Sequence, residues 1–421
     1  MEIEPIQGLD ATVRVPGSKS YTQRALVIAA LAEGESFLRD PLLCEDSEYL
    51  THALRSLGAE ISVEADGIMV RGTGGRISNP RGEIFLGNNG TALRLLTSVV
   101  SLGRGRIVLT GATRLCQRPM EPLLTALRRM GVDARSENGD GHAPLVIHAD
   151  GLPGGRVILG DLESSQYISS LLICAPLAKR DTLIELKGRI PSLPYVKMTV
   201  AVMRAFGVEV VKGDPDLLTV KTPQRYQARH YTIEGDLSSA SYFFLAAALC
   251  KGRVRVENVN SETLQGDIGL LPILEALGCR VTAGGHWVEV AARDLTSGDL
   301  ALDLGEMPDL VPTLSALAAI RPGRTIITQV GHLRVKESNR LRAMVTELNR
   351  IGVGAEEMDE GLVIHGGKPH GANIETYNDH RIAMSFAILG LAVPGIRIED
   401  EECVNKSFPG FWGELSRLRR P

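Results

Sequence analysis

Arg253-Val254-Arg255-Val256 is one of six short β-rich stretches that recur at nearly equal intervals along this chain of 421 residues. The other five stretches cover residues 36–39, 106–109, 182–185, 324–327 and 395–398. The starts of the six stretches lie 70, 76, 71, 71 and 71 residues apart. A fixed period is the mark of a chain built from repeated supersecondary units, so this repeat decides the predicted fold.

Helical patterns surround each of these stretches. A pattern rich in alanine, leucine and serine precedes the stretch, most clearly at residues 24–31, 91–102, 242–249 and 382–391. In most units a second amphipathic pattern follows and ends at a glycine, namely Gly58, Gly131, Gly207, Gly278 and Gly352. Glycine often ends a helix because it adopts the left-handed conformation without steric cost. Each unit is therefore predicted to be strand, helix, strand, helix, strand, strand.

The repeat also predicts the domain organisation. Five units are complete, and the sixth has its second helix at residues 411–418. Residues 1–6 could supply its missing strand, so we expect both termini in one domain. The predicted fold class is α/β (α+β), with six β-α-β-α-β-β units, three per domain. The domain with both termini would comprise residues 1–15 and 235–421, with residues 16–234 inserted, and the active site is expected in the interdomain cleft.

Composition argues against several classes of protein. A net charge of −4 and a pI near 6.2 disfavour a nucleic-acid binder. The longest apolar runs, near residues 25–32 and 242–250, are too short to span a bilayer. The six cysteines form no C-x-x-C pair, and the first residues lack a signal-peptide pattern. A cytoplasmic protein with reduced thiols is the resulting prediction.

The six first helices share a feature at their starts, where residues typical of helix caps lie beside basic residues. The starts are at residues 18–20, 88–91, 164–166, 238–240, 308–309 and 378–381. A helix N-terminus offers free N–H groups and about half a positive charge. The basic residues at these starts or in other loops are Lys19, Arg24, Arg94, Arg118, Lys336, Arg340, Arg381 and Lys406. Taken singly, each helix start can be explained by an ordinary cap and a solvated charge. The recurrence of capped helix starts and basic residues in a six-fold repeat favours a site for anions.

Four ordered motifs then resemble a known family. Residues 15–26, Val-Pro-Gly-Ser-Lys-Ser-Tyr-Thr-Gln-Arg-Ala-Leu, resemble the N-terminal signature of the EPSP synthase (3-phosphoshikimate 1-carboxyvinyltransferase) family. Residues 86–94, 334–340 and 379–384 are similar to its further signatures, and the resemblance extends from residue 6 to residue 418. The family has two domains of three units each, which agrees with the repeat found independently.

The resemblance implies the reaction and the residues that perform it. Family members transfer the enolpyruvyl group of phosphoenolpyruvate to the 5-hydroxyl of shikimate 3-phosphate, in aromatic amino acid biosynthesis. Neither a metal nor another cofactor is expected, and the family expectation is a monomer. Positions implied to hold shikimate 3-phosphate are Lys19, Ser20, Arg24, Ser164, Ser165, Gln166, Ser192, Tyr195, Asp309 and Lys336. Positions implied to hold phosphoenolpyruvate are Lys19, Gly90, Arg118, Gln166, Arg340, Arg381 and Lys406.

Proton transfer is the least determined part of this interpretation. By resemblance Asp309 and Glu337 are the proton-handling carboxylates, and Lys19 is a further candidate at C3 of phosphoenolpyruvate. His332 stands where the family often has asparagine, so it is left outside the predicted set. Leu95 and Asn89 also depart from the usual residues, so the response to glyphosate, an inhibitor of the family, is not predicted.

Two alternatives have different activities. A UDP-N-acetylglucosamine enolpyruvyl transferase would share the repeat and the donor, but the Ser-Lys-Ser and Asp-His-Arg motifs favour the shikimate enzyme. An inactive anion-binding paralogue would be expected to lack a catalytic carboxylate or a substrate arginine, and this sequence has them all. Kinase and dinucleotide-binding glycine loops are not found in the sequence.

Overall fold

The computed structural model describes residues 1–213 and 216–418. The chain divides into two compact units, each with its own hydrophobic core. Met1–Pro16 and Glu234–Pro421 form one unit, called here the terminal unit. Gly17–Ile233 forms the other, called the inserted unit.

The strands and helices follow the repeat along the chain. The strands are β1 Asp10–Arg14, β2 Glu35–Arg39, β3 Glu60–Val63, β4 Gly67–Arg71, β5 Ile84–Phe85, β6 Arg104–Thr110, β7 Asp133–Ser136, β8 Leu145–Asp150, β9 Gly155–Gly160, β10 Thr182–Lys187, β11 Val211–Lys212, β12 Leu217–Val220, β13 His230–Thr232, β14 Arg253–Glu257, β15 Arg280–Gly284, β16 Trp287–Ala291, β17 Leu300–Asp303, β18 Gly323–Thr328, β19 Gly354–Met358, β20 Gly361–Gly366, β21 Asn373–Ile374 and β22 Arg397–Ile398. The α-helices are α1 Lys19–Leu31, α2 Glu45–Ser56, α3 Gly90–Val99, α4 Glu121–Arg129, α5 Gln166–Cys174, α6 Pro194–Ala205, α7 Leu237–Leu249, α8 Leu270–Ala276, α9 Val311–Ile320, α10 Arg340–Arg350, α11 His380–Gly390 and α12 Phe411–Arg417.

Within the described residues, five four-stranded sheets share one strand order. The orders are β1-β14-β16-β15, β13-β2-β4-β3, β5-β6-β8-β7, β9-β10-β12-β11 and β17-β18-β20-β19. In each sheet the first two strands are parallel and the last two form an antiparallel hairpin. A parallel pair needs a crossover connection, and an α-helix supplies it, as α3 does between β5 and β6. The predicted β-α-β-α-β-β unit is confirmed.

The sixth unit is a short parallel pair, β21 with β22, completed by the N-terminus. The Met1 carbonyl accepts a hydrogen bond from the Ile398 N–H at 2.7 Å, and the Ile3 N–H donates to the Ile396 carbonyl at 2.9 Å. Glu2 faces Arg397 in an antiparallel bridge. The first and last parts of the chain therefore build one sheet together.

In two places the strand that precedes the first helix of a repeat pairs in the sheet of a different repeat. β1 precedes α1 but pairs with β14, and β13 precedes α7 but pairs with β2. Asn258 ties the crossing segments together within the terminal unit: it exchanges hydrogen bonds with the Val15 backbone at 3.2 and 2.7 Å and accepts one from the Gly235 N–H at 2.8 Å.

The first helices of the units form the core. α7 is buried along all thirteen of its residues and packs against α9, which packs against α11. In the inserted unit, α3 packs against α5. Helices that are apolar on all sides have no solvated face, so they must lie inside. In the described part of the chain, every helix is too short or too polar to cross a membrane.

The predicted glycine ends of the second helices are confirmed. Gly58, Gly131, Gly207, Gly278 and Gly352 all have φ between +82° and +106°. At the first of them, the Ala59 N–H donates to the Leu54 carbonyl at 3.1 Å and closes the helix. Only glycine adopts such φ values routinely, which explains why a glycine recurs there.

The predicted helix starts are right at α1, α3, α5 and α11 and wrong at two places. α7 begins at Leu237, because the Asp236 carboxylate caps it by accepting from the Ser239 N–H at 3.2 Å. Ser238 and Ser239 therefore lie inside the first turn. Pro308–Leu310 form a 3-10 turn before α9, and Asp309 does not cap that helix because its carboxylate binds arginines instead.

Candidate active site

A buried guanidinium organises the site residues of the terminal unit. Arg340, the first residue of α10, is 1% exposed. It donates to Asp379 from Nε at 2.9 Å, to Asp309 from Nη1 at 3.1 Å and to Glu337 from Nη2 at 2.9 Å. One arginine is thus held by three carboxylates, which makes the cluster strongly polar yet fully hydrogen-bonded.

Arg381 joins this cluster from the start of α11. Its Nη2 donates to Asp309 Oδ2 at 2.8 Å, so Asp309 bridges two arginines. Asp379 caps α11 by accepting from the Arg381 N–H at 3.0 Å, and its other oxygen accepts from the Ser338 hydroxyl at 3.0 Å. The cap explains why a helix start brings Arg381 to Asp309.

The charges in this cluster set its protonation. Burial alone would raise the pKa of Asp309, but the positive charges of Arg381, Arg340 and Lys336 lower that pKa far below its usual range. Burial would lower the pKa of Arg340, but its carboxylate partners raise it instead. Asp309 is therefore ionised at neutral pH and Arg340 is firmly charged.

A further carboxyl lies close to these groups. Asp267 is 5% exposed, and its Oδ2 accepts a hydrogen bond from the Ser238 hydroxyl. Burial, followed by the negative charge of Asp309, raises the pKa of Asp267 to about 7. The sequence analysis missed Asp267, because this residue lies outside the four motifs that resemble the family.

The remaining predicted residues of the terminal unit, Lys336 and Lys406, lie at the C-terminal ends of two 3-10 segments. Lys336 follows directly after Gly331–Val335, which also holds His332, and its charge reaches Asp309. Lys406 is the last residue of Glu401–Lys406, a segment that packs against α11, and it is 6% exposed.

Arg24 in the inserted unit contrasts with Arg340. It is also 1% exposed, but it donates to Thr199 Oγ1 at 2.7 Å, to Ser169 Oγ at 3.4 Å and to the Ser20 carbonyl at 3.0 Å. Its guanidinium lies 5.7 Å from the Tyr195 ring centroid. Within the described residues, the partners of Arg24 are uncharged oxygen atoms and an aromatic ring. Burial lowers the pKa of Arg24 to about 10.

Lys19 opens α1 and is paired with a residue that the sequence analysis missed. Its Nζ lies 2.5 Å from Asp46 Oδ2, which is 3% exposed. The Asp46 carbonyl also accepts from Asn89 Nδ2 at 2.7 Å, and Asn89 caps α3 by accepting from the Ala92 N–H at 2.9 Å. Asp46 therefore links the start of α1 to the start of α3.

Gly90 is required by the position of Arg118. A Cβ built on Gly90 would stand 2.4 Å from Arg118 Nη1 and 2.6 Å from its Cζ. The Arg118 guanidinium, 4% exposed, thus lies directly on the first residue of α3. The Tyr167 hydroxyl donates to the Pro119 carbonyl at 2.6 Å and fixes the loop that carries Arg118.

Gln166 connects the second and third β-α-β-α-β-β repeats, both of which belong to the inserted unit. Its Oε1 accepts from Arg94 Nη1 at 2.8 Å, and its Nε2 donates to Thr91 Oγ1 at 3.0 Å. The Gln166 N–H donates to Ser164 Oγ at 3.3 Å. Ser165 is the buried residue before α5, although its side chain does not cap the helix.

The segment before α6 carries the last two predicted residues. Ser192 has φ +57°, and its carbonyl accepts from the Tyr195 N–H at 3.1 Å. The Thr199 hydroxyl lies 2.8 Å from both the Tyr195 carbonyl oxygen and the Ser169 hydroxyl oxygen, so its one proton can go to either acceptor. The four-residue spacing of Tyr195 and Thr199 on a helix was the signal that could have identified Thr199.

Comparison with known proteins identifies the family of this chain. The sequence profile described as EPSP synthase (3-phosphoshikimate 1-carboxyvinyltransferase) matches residues 3–415. The 3-phosphoshikimate 1-carboxyvinyltransferase of Nostoc sp. (strain PCC 7120) is 45% identical over 412 residues, 97% of either chain. That of Syntrophobacter fumaroxidans is 44% identical over 422 residues, 99% of either chain. An EPSP synthase structure from Acinetobacter baumannii superposes with a TM-score of 0.82 at 28% identity, covering 99% of this chain and 97% of that one.

The repeat fold and the arginine-rich helix starts define an enolpyruvyl transferase with the two-domain fold of that class. Within the class, the profile match and the relatives decide between the alternatives: the chain belongs to the EPSP synthase family. It is an enzyme of the shikimate pathway of aromatic amino acid biosynthesis. It transfers the enolpyruvyl group of phosphoenolpyruvate to shikimate 3-phosphate.

Proposed function

We propose that the predicted residues of both units act on one pair of substrates, in the roles that the resemblance implies. Arg24 is the observation on which this rests. A buried charge with only neutral partners is costly unless an anion completes its surroundings. Shikimate 3-phosphate brings both a phosphate and a carboxylate, either of which suits a guanidinium fork. Its other proposed contacts are Lys19, Ser20, Ser164, Ser165, Gln166, Ser192, Tyr195, Asp309 and Lys336.

Phosphoenolpyruvate is proposed to bind the remaining basic groups. Its carboxylate would compete with Asp309 for Arg340 and Arg381, since both arginines form paired contacts with carboxylates. Its phosphate would be held by Lys19, Arg118 and Lys406, with Gly90 and Gln166 beside it. Several positive charges are needed because two multiply charged anions must be held together.

This competition would activate Asp309. In the described structure its pKa is lowered by arginines, so it is a weak base. When a substrate carboxylate takes those arginines, the pKa of Asp309 rises toward the value of a useful base. Asp309 would then accept the proton of the 5-hydroxyl as the hydroxyl oxygen bonds to C2 of phosphoenolpyruvate.

The remaining steps need an acid and then a base at C3. C3 gains a proton as the tetrahedral phospho-ketal forms. The C2–O bond to phosphate then breaks, C3 loses a proton, and the double bond is restored. Glu337, 2.9 Å from Arg340, and Lys19 are the proposed acid–base groups, with the two steps not divided between them.

We further propose that the enzyme acts as a cytoplasmic monomer and does not bind nucleic acid. All six cysteines are free thiols, and four of them are buried. Free thiols of this kind are typical of proteins from reducing compartments. The net charge of −4 supports the absence of a nucleic-acid partner.

The test is phosphate release from phosphoenolpyruvate by metal-free protein, with and without shikimate 3-phosphate. We expect release that depends on shikimate 3-phosphate. Release that depends instead on UDP-N-acetylglucosamine would transfer the protein to the other enolpyruvyl transferase activity. No release with either acceptor, from folded protein, would overturn the proposed roles.

A further inference from the structure

Glu347 is a fully buried carboxylate that the mechanism does not use. It lies near the end of α10 and its side chain is 0% exposed. Its Oε1 accepts from the Tyr377 hydroxyl at 2.8 Å, and its Oε2 accepts from the Glu375 N–H at 3.2 Å. Its ion-pair partner Arg350, at 2.8 Å, is 44% exposed. The inward hydrogen bonds of Glu347 therefore go to the turn that leads into α11.

The same helix contacts this turn at a second point. Arg340 lies seven residues before Glu347, two helical turns away and on the same face, a rise of about 10 Å. Arg340 binds Asp379, the cap of α11, at 2.9 Å. One face of α10 thus holds both ends of the segment 375–379.

The residues between these two contacts have strained backbone. Tyr377 and Asn378 have φ of +55° and +52°. The left-handed region is unfavourable for a bulky residue such as tyrosine, and this conformation persists only where the surroundings impose it. Released from Glu347, the turn would be expected to relax. Arg381, only three residues beyond Asn378, would then move with the start of α11.

We propose that Glu347 and Tyr377 are positioning residues that fix the turn at 375–378, so that Arg381 points at the carboxylate of phosphoenolpyruvate. The inference rests on the proposed role of Arg381. Burial, followed by the hydrogen bond to Glu347, raises the pKa of Tyr377 to about 12. The phenol therefore remains a donor throughout the working pH range of an enzyme.

Tyr377→Phe tests this with the smallest change, since it removes one hydroxyl and keeps the ring. We expect KM for phosphoenolpyruvate to rise about 10-fold, the effect of losing one hydrogen bond to a charged group, while KM for shikimate 3-phosphate changes less than about 2-fold. Glu347→Gln should shift the same constant in the same direction. Arg342→Gln is the matched control, because it removes a positive charge from an exposed position of the same helix, and both KM values should stay unchanged.

The two substrates separate positioning from folding. A loss of folded enzyme would lower the apparent kcat and leave both KM values alone. Unchanged KM for phosphoenolpyruvate in folded Tyr377→Phe, or an equal rise in both KM values, would overturn the inference. Wild-type protein without acceptor-dependent phosphate release would instead overturn the proposed function.

Discussion

Two arginines of equal burial have opposite environments at the scale of single residues. Arg24 and Arg340 are each 1% exposed. Burial lowers the pKa of Arg24 to about 10, whereas three carboxylates raise that of Arg340. A buried cation with neutral partners lacks a counter-ion. A buried cation that is bound by carboxylates can exchange one of them for the carboxylate of a substrate. The contrast separates the proposed acceptor site from the proposed donor site.

Arg24→Met should weaken acceptor binding without weakening the fold. Methionine fills a similar volume, and the change removes a buried charge that has no carboxylate partner in the part of the chain that the structure describes. We expect KM for shikimate 3-phosphate to rise at least ~100-fold, because two or more charged hydrogen bonds to the substrate are lost. The denaturation midpoint should be equal or higher.

The control for this experiment is Arg39→Met, which removes a guanidinium that is 59% exposed and forms a salt bridge with Asp66 at 3.6 Å. Both KM values of that variant should match those of the wild type. An unchanged acceptor KM in Arg24→Met would remove Arg24 from the acceptor site.

Asp267 predicts a pH dependence of stability. Its pKa is raised to about 7 in the folded chain, against an ordinary value near 4. The folded state therefore binds this proton more tightly, so the contribution to stability is complete below about pH 4 and is lost as pH rises through about 7. Asp267→Asn keeps an acceptor for the Ser238 hydroxyl without the charge. We expect the variant to be more stable than wild type at pH 8 by on the order of 1 kcal/mol or more.

The chain itself supplies the probe for this measurement. Its two tryptophans, Trp287 and Trp412, both belong to the terminal unit, so intrinsic fluorescence in urea follows the unit that holds Asp267. The stability difference should shrink toward zero near pH 4. The exposed Asp359→Asn should show no such trend, and a difference of equal size at pH 4 and pH 8 would contradict the prediction.

Helix boundaries show, at the scale of elements, what local sequence determines. The glycine ends were predictable because a left-handed residue is needed whatever lies nearby. The sequence could not show that Asp309 does not cap α9. Its carboxylate binds Arg340 and Arg381, which lie 31 and 72 positions further along the chain. A cap is a local interaction, and a stronger distant partner displaces it.

Gly90→Ala tests the close approach at the start of α3. The added methyl group would meet Arg118 Nη1 at 2.4 Å, so the guanidinium must move. Alanine suits a helix better than glycine, so stability should be unchanged or slightly higher. We expect KM for phosphoenolpyruvate to rise several-fold or more, with a smaller effect on shikimate 3-phosphate.

Gly413→Ala is the matched control in α12, where an added Cβ meets nothing within 4 Å. It should leave both KM values unchanged. If Gly90→Ala binds phosphoenolpyruvate as the wild type does, then Arg118 either tolerates the displacement or does not bind this substrate.

The period of the repeat predicts much at the scale of the whole molecule. The six strands that defined it correspond to β2, β6, β10, β14, β18 and β22. Sequence motifs also supplied the candidate residues, whose roles remain proposals. What the sequence could not supply was long-range pairing. Asp46 with Lys19 and Glu347 with Tyr377 join residues 27 and 30 positions apart that carry no local pattern.

Ile3→Ala tests how far the N-terminus contributes to the terminal unit. Terminal residues are usually dispensable, but Ile3 is 1% exposed and its N–H binds the Ile396 carbonyl. Its side chain also packs on Gly390 of α11, where an added Cβ would stand 2.7 Å from the Ile3 Cβ. Burial of this kind makes truncation to alanine cost about 2–5 kcal/mol.

Tryptophan fluorescence in urea should show that loss of stability. The control is Glu2→Ala, which changes an exposed neighbour paired with Arg397 and should alter stability by less than about 1 kcal/mol. Equal midpoints for the two variants would mean that the first residues rest on the sheet without holding it.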